Sequence, residues 1–525
     1  MTNSLLFRFG EDELTIGLAL RLVHGEIKGL LTPETREKVR QNRDVVENIV
    51  RQRKIVYGIN TGFGPLCTTL IGEEDTKKLQ YNLLMSHSVG VGDFIDPEIA
   101  KLMLILKVHA LAQGYSGIAV ETLDRIMWHI ENDIIPCVPG QGSVGASGDL
   151  APLSHLFLPL IGMGNVWLNN KVRPAAEVLQ LFNILPVELG PKEGLALING
   201  TQFMSAHAVK ILEKMQNCLD HADVIAAINL EAMMGSVKSF DEQLHTLRPY
   251  EGSMYVAGRM RELLRDSEIV ESHRNCTRVQ DPYSLRCIPQ VHGASRNAWL
   301  HLKEIILTEI NSVTDNPIIF SEEKTISGGH FHGQPIALPV DYAGLAAAEL
   351  GNISDRRIYL SMIESVPGLP KLLMKHTGLN SGFMILQYTS AALVSENKSL
   401  CFPASADSIP TSLGQEDHVS MGSISARKTL QIVENLEKIL AIEMMTAAQG
   451  FDFRKPMKSG ILTDEAHNLI RQHITFAQDD RLFSPDIEEA ISLIRSKKLI
   501  AHLSQVAHTH HITFKNDDHE LFGIY

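Results

Sequence analysis

The sequence predicts a mainly α-helical protein, in which a long central helical bundle follows an N-terminal part rich in loops. Apolar residues recur at steps of three and four in several segments, which places them along one face of a helix. Three such series are Ala208, Ile211, Met215, Leu219, Ala222 and Ala226; Trp299, Leu302 and Ile306; and Leu430, Val433, Leu436, Leu440, Met444 and Ala447. Aromatic residues make up only 6% of the 525 residues. We interpret each series as the core-facing side of a helix and not as a cofactor site.

The N-terminal part combines surface helix with glycine-rich loops. Thr32 and Pro33 predict a helix start, because threonine is a common N-cap and proline fits the first helical position. The residues from there to Arg53 are mostly polar or charged, which predicts a surface helix. Glycines then break the chain into short segments at Tyr57–Gly64 and Pro139–Asp149.

The chain is predicted to form one continuous functional unit of three parts. No Ser/Gly-rich or Pro-rich linker separates the loop-rich part from the helical centre, and no internal repeat is present. The parts are an N-terminal part over residues 1–200, a long-helix bundle over 201–460 and a helical C-terminal region over 461–525.

Composition excludes several classes of function. Apolar residues (44%) and charged residues (21%) are close to the ~45–50% and ~25% of folded globular chains. A net charge of −13 without a long basic run argues against a nucleic-acid or acidic-membrane partner. Six scattered cysteines without CxxC spacing fit free thiols in a reducing compartment. The apolar stretch Leu150–Leu168 contains polar and helix-breaking residues, which predicts buried core and not a membrane span. We therefore expect a cytoplasmic protein.

The segment Gly140–Gly145 matches the G-x-G-x-x-G letters of a dinucleotide-binding loop. That function requires a βαβ unit and an acidic residue about 20 positions further on. No Asp or Glu occurs between Asp149 and Glu177, and Pro139 directly precedes the first glycine. We therefore reject nucleotide binding. Ser147 is not in a G-x-S-x-G turn either, which argues against a hydrolase nucleophile.

The segment Ala146-Ser147-Gly148 allows a different chemistry. Because Gly148 has no Cβ, its backbone nitrogen can approach the carbonyl carbon of Ala146 and close a five-membered ring. Loss of two water molecules then turns Ser147 into a methylidene conjugated with the ring, which is a strong electrophile. From these three residues alone, an ordinary glycine-rich turn remains the better interpretation.

The surrounding sequence resembles the aromatic amino-acid ammonia-lyases, which build this methylidene-imidazolone group (MIO). The string GSVGASGDLAPLSH at 142–155 is similar to their active-site signature. Further similar strings follow in the family's order: YGINTGFG, LINGTQ, QDPYSLRC, TDNP, FHGQP, NSGF, SENK and QEDHVSMG. The resemblance covers most of the chain.

Two strings resemble the members of the family that act on histidine: QEDHVSM and the Ser86-His87 pair. The resemblance therefore implies elimination of ammonia from L-histidine to give trans-urocanate. The alternatives are an MIO-dependent lyase or aminomutase acting on tyrosine or another aromatic amino acid, and a catalytically inactive helical scaffold. The family usually has asparagine where this chain has His330, so the hydrogen bonding near the ring is expected to differ from the family pattern.

The resemblance also implies the catalytic residues. Tyr57 would be the general base that takes the β-proton, and Arg286 would pair with the substrate carboxylate. Asn199 would hydrogen-bond the MIO oxygen and the substrate. Tyr283 would help handle the ring or its charge, and Gln280 would lie nearby. Taken alone, these residue types would indicate turns, core or solvated surface.

The resemblance places His87, Glu416 and Phe331 at the substrate. A carboxylate such as that of Glu416 complements an imidazole N–H, whereas beside a phenyl ring it would be an unpaired buried charge. The expected cofactor is MIO alone, without a metal or a diffusible cofactor. The spacing His508-x-His510-His511 could bind a metal, but no further ligand pattern accompanies it. The resemblance also implies a homotetramer whose active sites are shared between subunits.

Overall fold

The protein is described by a computed structural model that covers residues 6–56, 58, 59, 61, 73–274, 278–516 and 519–525. The helices are α1 Ile16–Val23, α2 Pro33–Arg51, α3 Glu73–His87, α4 Pro97–Leu111, α5 Val120–Glu131, α6 Leu150–Phe157, α7 Ala175–Leu181, α8 Glu193–Ile198, α9 Gln202–Ala232, α10 Glu242–Thr246, α11 Glu251–Leu263, α12 Glu268–Ser272, α13 Tyr283–Arg286, α14 Ile288–Ile310, α15 Gln334–Met362, α16 Met384–Leu400, α17 Gly422–Asp452, α18 Ile461–His473, α19 Ser484–Arg495 and α20 Lys498–Thr509. The mainly α-helical fold predicted from the sequence is confirmed.

The strands are short and lie mostly in the N-terminal part. They are β1 Leu6–Arg8, β2 Lys28–Leu30, β3 Val91–Phe94, β4 Ile135–Pro136, β5 Pro139–Gln141, β6 Asn165–Leu168, β7 Lys171–Pro174, β8 Ile318–Ile319 and β9 Thr325–Ile326. Strand β1 pairs with β2 in parallel, whereas β3 pairs with β5, β6 with β4 and β7, and β8 with β9, all antiparallel. The glycine loop after β5 is therefore not the turn of a parallel βαβ unit.

Long helices pack against one another to form the core. Helix α9 contacts α14, α15 and α17, and α15 also lies along α17. The apolar series that begins at Ala208 is 0–1% exposed throughout, which confirms that this series faces the core. One hydrophobic cluster extends from Phe7 to Ile524, so the N-terminal part and the C-terminal helices share the core of the bundle.

Helix α2 begins as the sequence predicts. Thr32 is in the extended conformation, and its Oγ1 accepts a hydrogen bond from the Thr35 backbone N–H at 3.0 Å. Pro33 occupies the first helical position, and the helix ends at Arg51. The charged face of this helix is largely exposed, so it is a surface helix.

The apolar stretch at 150–168 is buried core, as predicted. It forms α6, a short 3₁₀ turn and β6, and Leu153, Phe157 and Val166 are almost completely buried. Across the residues that the structure describes, none of the helices has the length and apolar character needed to span a membrane.

Candidate active site

The loop between β5 and α6 holds its backbone in the left-handed region. Gly145 has φ +78°, Ser147 has φ +52° and Gly148 has φ +83°. A Cβ on Gly148 would lie 2.1 Å from the carbonyl oxygen of Gly200, which is far inside contact distance. Only glycine fits position 148, both because of its φ and because another backbone approaches it.

We expect Gly148→Ala to distort this loop, because the added Cβ meets backbone that cannot move aside. The matched control is Gly25→Ala, since Gly25 has φ +71° and no heavy atom within 4 Å of a built Cβ. Gly25→Ala should lower the free energy of unfolding by about 1 kcal/mol because of its φ alone, and Gly148→Ala should lower it by about 1–3 kcal/mol more. Thermal unfolding of both variants measures the difference, and equal midpoints would contradict the close approach.

Asn199 holds the carbonyl of the central serine. Its Nδ2 donates to the Ser147 carbonyl oxygen at 2.8 Å, and the neighbouring Asp149 N–H donates to the Gly200 oxygen at 2.8 Å. Asn199 is 2% exposed and directly follows α8. Its Oδ1 is buried without a hydrogen-bond partner among the described residues. The Nδ2 of this amide therefore donates to the loop, while its Oδ1 can accept a further hydrogen bond.

Asp149 anchors the loop to the starts of two long helices. Its Oδ2 accepts hydrogen bonds from the backbone N–H groups of Phe203 and Met204 in α9, each at 3.1 Å. Its Oδ1 accepts from the Ser423 hydroxyl in α17 at 3.1 Å. Burial raises the pKa of this carboxyl to about 7, although these hydrogen bonds favour the ionised form. The motif contains Asp149, but the sequence analysis gave it no role.

Glu416 reaches the loop from a distant part of the chain. Its Oε1 accepts a hydrogen bond from the Ser147 hydroxyl at 2.6 Å. Its Oε2 accepts from the hydroxyls of Thr411 at 3.1 Å and Ser412 at 2.5 Å. These contacts fix the carboxylate above the serine side chain. The two hydroxyl residues that hold Glu416 lie outside the motifs that predicted the site.

His87 ends α3 within electrostatic reach of Glu416. Burial lowers the pKa of His87, while the Leu83 carbonyl and the charge of Glu416 oppose this effect. Its Nδ1 lies 3.0 Å from the Ser86 hydroxyl oxygen. The structure thus brings His87 and Glu416, which are far apart in sequence, within electrostatic reach of each other.

Phe331 lies in a loop that is tied to the same segment as Glu416. The Nε2 of the adjacent His332 lies 3.2 Å from the His418 carbonyl oxygen, and the two imidazoles stack with centroids 5.8 Å apart. Phe331 itself is half-buried, and His330 is exposed. The same segment touches the glycine loop, because the Met421 N–H donates to the Val144 carbonyl at 2.9 Å.

Three predicted residues lie on or just before α13. The guanidinium of Arg286 lies 4.7 Å from the centre of the Tyr283 ring on α13. Tyr283 is 72% exposed and Gln280 is exposed, while the Nε of Arg286 is buried without a partner among the described residues. Within the described part of the chain, no hydrogen bond joins these three residues to the Ser147 loop.

Tyr57 lies outside the described residues, so its side chain is not placed. Among the residues that follow it, Gly58, Ile59 and Thr61 are described, and Gly58 packs so closely on α8 that a Cβ would lie 2.6 Å from Leu195 Cδ2. The Gly58 N–H also donates to the Thr61 hydroxyl at 3.2 Å. Gly58 therefore lies beside the helix that leads into Asn199.

The described residues contain no group of three or more His, Cys, Asp or Glu side chains that could hold a metal ion. His508 belongs to the last turn of α20, and His510 and His511 follow it as an exposed end. The described cysteines, Cys137, Cys218, Cys287 and Cys401, are free thiols.

A helical bundle that carries a compressed Ala-Ser-Gly loop, with an amide on the serine carbonyl and a carboxylate on its hydroxyl, has the features of an aromatic amino acid lyase. The sequence profile described as "Aromatic amino acid lyase" matches residues 14–472. The chain belongs to this family, which confirms the resemblance inferred from the motifs.

Relatives within the family carry the name histidine ammonia-lyase. The protein from Natranaerobius thermophilus is 45% identical over 484 residues, covering 92% of this chain and 95% of the relative. The protein from Sorangium cellulosum is 48% identical over 478 residues, covering 89% and 93%. The crystal structure of histidine ammonia-lyase from Trypanosoma cruzi has a TM-score of 0.88 at 40% identity and covers 95% of both chains. A tyrosine aminomutase from Streptomyces globisporus has a TM-score of 0.89 at 32% identity, covering 95% and 99%.

Proposed function

We propose that the protein is a carbon–nitrogen lyase that eliminates ammonia from L-histidine to give trans-urocanate. The observation that carries this proposal is the contact between the Ser147 hydroxyl and Glu416, which sets a carboxylate directly over the reactive loop. Histidine ammonia-lyases at 45–48% identity over most of the chain support the same reaction. The test is ammonia release from a panel of histidine, tyrosine and phenylalanine, with urocanate as the expected product of the first.

The loop residues fit an MIO group formed from Ala146, Ser147 and Gly148. The new bond joins the Gly148 nitrogen to the Ala146 carbonyl carbon. The Ala146 oxygen leaves as the first water, with the two amide hydrogens of Ser147 and Gly148. The Ser147 hydroxyl leaves with its α-hydrogen as the second. The left-handed φ at 147 and 148 and the bare Cα of Gly148 fit this compact ring. The group supplies an electrophilic carbon that activates the substrate for loss of ammonia.

Dehydration changes the surroundings of Glu416. In the unmodified chain its Oε1 accepts a hydrogen bond from the Ser147 hydroxyl, and that hydroxyl leaves as water when the ring forms. Oε1 is then free to accept the imidazole N–H of histidine, while Thr411 and Ser412 continue to hold Oε2. His87 is the second polar group for the imidazole. A phenyl or phenol ring would leave both groups desolvated and incompletely paired.

Asn199 is proposed to act at both ends of its amide. Nδ2 stays on the Ser147 oxygen, and Oδ1 accepts a hydrogen bond from the substrate's amino group. Tyr57 is proposed as the base for the β-proton and Phe331 as a wall of the substrate site. Arg286 is proposed to bind the substrate carboxylate, because a planar guanidinium matches it with two hydrogen bonds.

We expect Glu416→Gln to lower kcat/KM for histidine by about 10- to 100-fold. The change keeps the shape of the side chain but removes its charge, and a hydrogen bond to a charged group is worth about 1.5–3 kcal/mol. The MIO content, measured by intact mass, should stay unchanged. The control is Glu488→Gln, at an exposed position on α19, which should leave the kinetics as they are. Unaltered histidine turnover in Glu416→Gln would contradict the assignment.

The second candidate is a lyase or aminomutase acting on tyrosine. The observation in its favour is that a tyrosine aminomutase has the same fold over 95% of this chain. Product analysis separates the two candidates, because an aminomutase returns an amino acid and not free ammonia. Faster ammonia release from tyrosine than from histidine would overturn the histidine assignment.

The assembly proposed is a homotetramer with shared active sites. Tyr283 and Gln280 are exposed in the single chain, although the family resemblance places both at the substrate. Large apolar side chains are also exposed along α15, α16 and the segment after them: Leu338, Tyr342, Leu345, Tyr359, Ile385, Tyr388, Phe402 and Leu413. Such a surface is typical of a protein interface. Native mass spectrometry at assay concentration should give four times the chain mass, and a monomer with full activity would refute shared sites.

We propose that the chain has three parts, residues 1–200, 201–460 and 461–525. We also propose that the protein is located in the cytoplasm. The first rests on the change from glycine-rich loops to long helices. The second rests on the free cysteines and the acidic composition.

A further inference from the structure

Lys107 is a buried lysine that contacts the active-site loop through Asn199. It lies in the apolar helix α4 and is 1% exposed. Its Nζ donates a hydrogen bond to the Asn199 backbone carbonyl oxygen at 2.6 Å. In the described part of the chain, this is the only hydrogen bond that the amine makes, and no carboxylate forms an ion pair with it.

The position of this charge requires an explanation. Taking an ammonium group out of water costs several kcal/mol unless a counter-charge is adjacent. Burial lowers the pKa of Lys107 to about 7. Asp315, whose charge favours the protonated amine, is hydrogen-bonded to Lys192 instead, at 2.9 Å. A neutral donor would satisfy one carbonyl, so the hydrogen bond alone does not account for a lysine.

Asn199 lies between Lys107 and the reactive serine. Its backbone oxygen accepts from Lys107, and its side-chain Nδ2 donates to the Ser147 oxygen at 2.8 Å. The negative charge of Asp149, the residue after Gly148, also favours the protonated form of Lys107 and so raises its pKa. When it is protonated, the Lys107 amine favours negative charge on the Ser147 carbonyl oxygen, and in a buried site such interactions are strong.

We propose that Lys107 is a positioning residue of the active site: it fixes Asn199 through the backbone carbonyl and supplies positive charge behind the Ser147 oxygen. This inference rests on the proposed MIO group but not on which amino acid is the substrate. Negative charge develops on the same oxygen whenever a nucleophile adds to the electrophile.

Three variants separate the hydrogen bond from the charge. Lys107→Met removes both, and Lys107→Gln keeps a donor but removes the charge. Lys303→Met is the matched control, because Lys303 is also a buried lysine that donates to backbone carbonyls, those of Gly523 and Tyr525. Each variant is measured for intact mass, thermal unfolding, kcat and KM. The rate at which cyanide adds to the electrophile, followed by ultraviolet absorbance, gives a readout without substrate.

The expected result is a loss of the mass of two waters in all variants. In Lys107→Met, kcat and the cyanide rate should fall together by about 10- to 100-fold with KM little changed, as expected for a misplaced catalytic group. Lys107→Gln should lose part of both rates, and Lys303→Met should lose neither.

Wild-type cyanide rates in Lys107→Met or in Lys107→Gln would overturn the proposal, as would an equal loss in Lys303→Met. If Lys107→Met does not fold, Lys107→Gln decides. A wild-type chain of unmodified mass would refute the MIO group and this inference together. A chain with the ring but without histidine turnover would refute the substrate alone, and the cyanide rates would still test Lys107.

Discussion

Replacing Ser147 with alanine is expected to abolish the elimination reaction while the fold remains. Alanine has no hydroxyl to lose, so the methylidene cannot form. Enzymes typically accelerate reactions by about 10⁶-fold or more, and we expect most of this acceleration to depend on the electrophile, so activity should fall by at least about 10⁴-fold. Ammonia release and intact mass measure the two effects, and the variant should keep the two waters that the wild type loses.

The variant should remain stable because Ser147 is half-buried and its side chain makes one hydrogen bond to the residues that the structure describes, that to Glu416. Losing that bond costs about 1–3 kcal/mol at most. Ser143→Ala is the control, because its hydroxyl belongs to the same loop and accepts from the Gly145 N–H at 3.2 Å. It should form the ring and keep its activity. An active Ser147→Ala protein, or an unmodified Ala-Ser-Gly in active wild type, would contradict the MIO proposal.

Replacing Tyr57 with phenylalanine should lower kcat by about 10²–10⁴-fold, the usual contribution of a general base. The substitution removes only a hydroxyl and keeps the ring. Gly58, which directly follows Tyr57, packs against Leu195 of α8, the helix that leads into Asn199. The measurement is single-turnover elimination together with intact mass, since the ring should still form.

The matched control removes a hydroxyl from another tyrosine. Tyr81 donates to the Val187 carbonyl at 2.8 Å, away from the Ser147 loop, and Tyr81→Phe should change stability more than rate. If Tyr57→Phe keeps the full wild-type rate, Tyr57 serves packing and not proton transfer. The same conclusion would follow if Tyr57→Phe unfolded at a clearly lower temperature than Tyr81→Phe.

The helices were predictable because their apolar spacing repeats, but their buried charges were not. Helix α9 follows the predicted series, yet it also buries Asp223 completely. That carboxylate accepts hydrogen bonds from Arg259 at 3.0 Å, Arg296 at 2.7 Å and His292 at 2.8 Å. These partners come from α11 and α14, and only tertiary packing brings them to α9. Spacing along one helix therefore predicts which face is apolar, but not that polar residues on the other faces are also buried.

The site shows the same boundary between local and distant information. The strained glycine loop was predictable from small residues that are adjacent in sequence. The contact between Ser147 and Glu416 spans 269 positions, and the family resemblance placed Glu416 at the substrate without indicating this contact. Lys107 was not predicted, although a single cation within the apolar run of α4 was a signal for it. The sequence pattern also did not predict that Tyr283 would be exposed beside Arg286 in the single chain.

The anchoring of Asp149 has a consequence for how such an enzyme can be re-engineered. Asp149 ties the Ser147 loop to backbone N–H groups of α9 and to Ser423 of α17, two helices of 31 residues each. Glu416 is held instead by the hydroxyls of Thr411 and Ser412, in the loop that precedes α17. The hydrogen bonds that anchor Asp149 and those that hold Glu416 therefore involve different side chains, so one set can be changed without the other. Variant libraries confined to residues 411–416 should yield proteins that still form the MIO ring but prefer a different amino acid. Libraries that include Asp149 should yield proteins that no longer form the ring.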